Sequence, residues 1–279
     1  MRKPTSNLST LMMFTARSVC AFFGMLTLSS CGQPVSRTSQ MMNANETRMQ
    51  EVTEEFFVSP LDQARSLQVM TVTTPSWNST SGVLRLFSRD TLNSPWKKTG
   101  FEVDVMIGRA GLAWGRGLHP NQTPLKQEGD GKAPAGIFSL GIAFGYEAAV
   151  NTQLRYQQMS GDHWCVDDAS RPQYNQIVKR SAYDVGQSTE KMLRTDRLYK
   201  YGIFVNHNLP AVKNGGSCIF MHVWRGPGLP TSGCTAMTED NIKSLLALLD
   251  SAKNPLLISL PADVYQAYRS AWGLPVIWN

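Results

Sequence analysis

The sequence predicts a mainly β, α+β domain with a few helices, running from about residue 68 to residue 279. Three observations predict it. Short apolar runs recur and end in Gly, Pro, Asn or Ser clusters, as strands joined by turns do. Seven Trp, eight Tyr and eleven Phe in a chain that is 42% hydrophobic and 17% charged supply a packed core, which excludes a natively disordered chain. Only one stretch carries a strong helical stripe.

In order, strands are expected over residues 67–72, 82–87, 101–107 and 136–140. Residues 146–200 are polar and aromatic without a clear period and read as an elaborated loop region. Strands at 201–205 and 218–224 follow. Then comes the helix: Thr238 suits an N-cap, Glu239 and Asp240 the first turn, and Ile242, Leu245, Leu246 and Leu249 the apolar face, with Lys253-Asn254-Pro255 as the stop. No internal repeat is visible.

Residues 1–30 have the layout of a secretory leader, with Arg2, Lys3 and Arg17 ahead of the uncharged apolar run 18–28. That run is about half of the roughly 20 residues a membrane-spanning helix needs. Leu28-Ser29-Ser30-Cys31-Gly32 is similar to a bacterial lipobox, whose cysteine is acylated and becomes the new N-terminus; a plain leader ending near a cysteine is the alternative. Residues 31–67 are Ser, Thr, Gln, Asn and Met rich and read as a lipidated N-terminus and flexible tether. The expected location is the periplasmic side of the cell envelope, lipid-anchored, with Gly32 favouring the outer membrane by analogy. Of 27 basic residues three leave with the leader, so 24 face 21 acidic ones, a balance of +3. The basic residues are scattered, and no nucleic-acid partner is expected.

The most informative segment is residues 217–237, where a strand ends in His222, a Gly/Pro-rich loop follows, and Gly233-Cys234 precede the helix. A thiolate nucleophile needs a nearby imidazole, and a helix start adds a modest positive field. Gly233 permits the tight turn that would aim neighbouring amides at a developing oxyanion.

Thr231-Ser232-Gly233-Cys234-Thr235-Ala236-Met237, with His222 upstream, resembles the catalytic motif of the L,D-transpeptidase (YkuD-like) family, and Pro134-Ala135-Gly136-Ile137-Phe138 resembles that family's Pro-x-Gly-x-aromatic run. The resemblance covers about residues 68–260. It implies an L,D-transpeptidase-like β-sandwich or partly open barrel, and acyl transfer on peptidoglycan stem peptides with Cys234 as nucleophile, His222 as proton donor and acceptor, and no cofactor. Ser232 stands where many members have His, Ala236 where they have Arg, and Val223 where Gly often follows the His. Arg225 or His207 is expected to supply the missing group. Hydrolysis, giving an L,D-carboxypeptidase, and a catalytically silent murein-binding lipoprotein are the rival functions.

Other readings accompany these residues. Cys234 suits a disulfide or a small core residue as well as a nucleophile. A zinc site built from His207, His222, Cys218 and Cys234 lacks any short Cys-x-x-Cys pair, and no metal is expected. Cys165 and Cys218 form either a bridge across 53 residues or two buried thiols. Trp164, Asp167 and Asp168 form either an aromatic and acidic platform for the amine end of a peptide or a hydrogen-bonded loop cap.

Overall fold

The computed structural model describes residues 58–180 and 188–277. The leader, Cys31 and most of the expected tether lie outside the described residues. The described residues already carry structure ahead of residue 68, where the domain is expected to begin. The reason is local. Helix α1 (Pro60–Gln63) buries Leu61, Ser59 caps it by accepting from Asp62 N–H, and Arg89 reaches Asp62 at 2.7 Å.

Eight strands close a mixed barrel. They are β1 (Gln68–Thr74), β2 (Ser81–Ser88), β3 (Lys97–Met106), β5 (Ala133–Gly145), β10 (Tyr201–Val205), β11 (Phe220–Val223), β12 (Thr235–Met237) and β13 (Leu256–Pro261). Their order is β10-β11-β12-β3-β2-β1-β13-β5, and pairing of β10 with β5 completes the ring. Strands β4 (Leu112–Trp114) and β6 (Tyr156–Gln158) extend β5. The protein is thus mainly β, with few helices.

Burial explains the strand sequences. In β1, Val69, Met70 and Val72 are fully buried between β2 and its parallel partner β13. Strand β13 is buried at every position, the near-continuous apolar run of a strand covered on both faces. Helix α2 (Glu239–Leu248) is capped as expected, Thr238 Oγ1 accepting from Asn241 N–H at 3.1 Å, and it buries Ile242, Leu245 and Leu246. Helix α3 (Ala262–Trp272) buries Tyr265 and Trp272 and ends at Gly273, whose φ of +67° allows the closing turn.

The described residues of 146–200 hold more strand than the expected loop. They carry β6 and a separate three-stranded sheet of β7 (His163–Val166), β8 (Ile177–Lys179) and β9 (Thr189–Lys191), ordered β8-β7-β9. A disulfide joins Cys165 of β7 to Cys218 just before β11, Cα to Cα 6.1 Å. A second buried cluster lies where this sheet meets the barrel. It includes Phe144, Met159, Tyr199, Phe204, Phe220 and Cys234, with the aromatic rings edge to face about 5–6 Å apart. No helix among the described residues is long and apolar enough to cross a membrane.

Candidate active site

The site is built where two neighbouring strands run parallel. Strands β11 and β12 pair Met221 with Thr235 and His222 with Ala236, so the chain must loop back between them. Residues 224–234 do this with glycines at positive φ: Gly226 at +151°, Gly228 at +76° and Gly233 at +150°. The loop is pinned to the end of β3, because Thr231 N–H donates to Ile107 O and Arg109 N–H donates to Thr231 O, each at 2.8 Å. Thr231 Oγ1 accepts from Gly233 N–H at 3.1 Å and donates to Cys234 O at 2.7 Å. A Cβ on Gly233 would lie 2.9 Å from Lys132 O, so both backbone angle and space require glycine there.

Cys234 is the free cysteine among the described residues, 8% exposed. Its Sγ accepts from Phe220 N–H at 3.3 Å and donates to Cys218 O at 3.6 Å. Burial pushes the thiol up to about 12, with the Glu190 carboxylate adding to the effect; Phe220 N–H, Lys126 and Arg194 oppose it. His222 donates Nδ1–H to Val223 O at 2.7 Å, which leaves Nε2 as the acceptor nitrogen. Burial holds His222 down at about 4, so the resting pair is a neutral thiol and a neutral imidazole at pH 7. Tyr199 packs edge-on against the His222 ring at 5.2 Å and donates its hydroxyl to Glu190, whose carboxyl burial raises. Arg194 sits 3.5 Å from Glu190 and is doubly hydrogen-bonded to Asp196.

Cys234 and His222 open into one pocket of about 590 Å³. Gly233, Ser232, Arg225, Asp167 and Cys218 also line it. Other candidates stand elsewhere. His207 is fully buried, accepts from Arg116 N–H at Nδ1 and donates to Gly215 O from Nε2, and packs on Phe138, so it has no ring nitrogen to offer as the missing donor. Trp164 lies under Lys191, and Asp168 accepts from the Ser170 N–H and hydroxyl; neither lines the pocket, so the expected platform is reduced to Asp167. The alternative zinc set loses two of its four members, since Cys218 is in a disulfide and both ring nitrogens of His207 are hydrogen-bonded. Gly233 does not serve the oxyanion through its amide, which is already given to Thr231.

Sequence reasoning missed Lys126, Glu190, Arg194 and Tyr199, all of which line the pocket. Lys126 lies more than ninety residues from Cys234, and its one local signal is Asp130 four positions on. The other three sit in the stretch without a period.

No protein-family model and no curated protein matches the chain. Among solved structures it is similar to the helical cell shape determining protein Pgp2 from Campylobacter jejuni, with a TM-score of 0.37 and 16% sequence identity over 72% of this chain and 53% of that one. The chain therefore spans about half the length of that protein.

Proposed function

We propose that the protein is a cell-envelope cysteine enzyme of the L,D-transpeptidase type, acting on peptidoglycan stem peptides by acyl transfer through a thioester on Cys234. The observation that carries this reading is the shared pocket. His222 reaches it from β11 and Cys234 from the position just before the parallel partner β12, and the Val223 carbonyl holds His222 in the tautomer whose Nε2 accepts a proton. The substrate class comes from the two motifs around Gly136 and Cys234.

Because thiol and imidazole rest neutral, proton transfer accompanies attack on the bound substrate rather than preceding it. His222 Nε2 takes the thiol proton as the sulfur bonds to the carbonyl carbon before the terminal D-Ala. It then returns that proton to the leaving amine as the carbon–nitrogen bond breaks. An incoming amine or water bonds to the acyl carbon as it gives a proton to His222, the carbon–sulfur bond breaks, and the Cys234 sulfur takes that proton back from His222. Edge-on contact with Tyr199 keeps the ring aimed through these steps.

The test is product analysis with disaccharide tetrapeptide, with and without an amine acceptor, comparing the wild type with Cys234→Ser and His222→Gln. Loss of D-Ala in the wild type alone supports the enzyme, and a cross-linked product in the presence of the amine separates transfer from hydrolysis. Intact tetrapeptide in every tube, with retained murein binding, would leave a silent binding protein.

A further inference from the structure

The motif departures leave the transition-state oxyanion short of a donor, and the Gly233 amide is committed to Thr231. We propose that Lys126 supplies it, its ammonium donating a hydrogen bond to the oxyanion formed when Cys234 attacks. This rests on the acyl-transfer reading of the same pocket.

The Lys126 side chain is only 3% exposed yet lines that pocket. It passes between two glycines of positive φ: a Cβ on Gly216 would meet its Cε at 3.0 Å, and one on Gly233 would meet its Nζ at 3.5 Å. The ammonium thus lies against the turn that presents the nucleophile. It has three N–H bonds. Among the described residues Asp130 Oδ1 takes one at 2.7 Å and Gln127 O a second at 3.4 Å, which leaves one for a ligand. Asp130 is itself fixed by the Gln127 and Lys132 amides at 2.8 and 2.9 Å, so the ammonium is held in place before the reaction. The other pocket cations are less suited. Arg194 is occupied by Asp196 and Glu190, and Arg109 and Arg225 are exposed.

The sulfur–carbon bond forms, the thiol proton moves to His222 Nε2, and the carbonyl π pair moves onto oxygen, where Lys126 Nζ–H meets it. Collapse returns that pair to the carbonyl, breaks the carbon–nitrogen bond and sends the proton from His222 to the amine. Lys126 keeps its protons throughout. A donor that strengthens only in the transition state affects kcat more than KM, typically by about 10²–10³.

The test compares wild type, Lys126→Met and Lys126→Arg in three assays: tetrapeptide turnover, acylation by 4-nitrophenyl acetate, and alkylation by iodoacetamide, which creates no oxyanion. Thermal melting checks that each variant folds. Lys126→Met should lose about 10²–10³ in kcat and in ester acylation with KM within a few fold, while alkylation changes at least tenfold less. Lys126→Arg, which retains a charged donor, should recover most of the loss. Acylation within threefold of wild type, or an equal loss in alkylation, overturns the proposal. Should Lys126→Met not fold, an inactive but folded Lys126→Arg would overturn it and an active one would support it. Ester acylation by a wild type that leaves the tetrapeptide intact would refute the stem-peptide substrate, and Lys126 would then be judged on the ester.

Discussion

Gly136 marks how tightly single residues are held behind the site. Its φ is +131°, and an added Cβ would sit 1.9 Å from the His119 ring. That ring cannot step aside, since its Nδ1 accepts from Ile137 N–H at 3.0 Å and it packs among Trp114, Phe138 and Trp272. Gly136→Ala should therefore cost at least about 2–4 kcal/mol in denaturant unfolding; a loss below 1 kcal/mol would show that the strand accepts a side chain. The Pro-x-Gly-x-aromatic run that sequence inspection singles out thus has a steric cause. The His222 and Cys234 pairing was legible for a similar reason, because a strand, a glycine-rich loop and a capped helix are all local signals. Lys126 was not, since only the folded barrel brings it to Gly233.

At the scale of elements, the three-stranded sheet is the part that sequence periodicity hid. Its strands are three or four residues long, too short for a period to show, and its order depends on tertiary contacts. Strand β13 was missed for another reason: a fully buried apolar run reads equally as strand or helix until its neighbours are known. Helix α3 buries only Tyr265 and Trp272, too few positions to mark an apolar stripe. The small sheet brings Asp167, Thr189 and Glu190 to the pocket and is bonded to the strand of His222 through Cys165–Cys218. Closing a loop of 53 residues restricts the unfolded chain, so the double variant Cys165→Ser/Cys218→Ser should lose on the order of 4 kcal/mol in chemical denaturation. Equal stability within 1 kcal/mol would mean that the bridge constrains nothing.

For the whole molecule, burial of neutral histidines sets the response to acid. His222 and His207 are held at about 4 and about 3, below their ordinary 6.5, so each favours the folded state fully above pH 6.5 and less as pH falls towards the folded value. Glu190, raised by burial, works in the opposite sense. Unfolding free energy should fall by about 2–5 kcal/mol between pH 6.5 and 4.5; a flat or rising profile would contradict the burial of these rings. The barrel, the bonded sheet and the parallel strand pair together bring the Cys234 thiol and the His222 imidazole to one pocket, and the proposed thioester chemistry depends on that. Intact-mass spectrometry of the folded unit, quenched in acid after mixing with tetrapeptide, tests it most directly. A wild-type adduct of one tripeptide acyl group on Cys234, cleaved by hydroxylamine and absent in Cys234→Ser, is expected; an unmodified Cys234 while D-Ala is released would overturn the thioester mechanism.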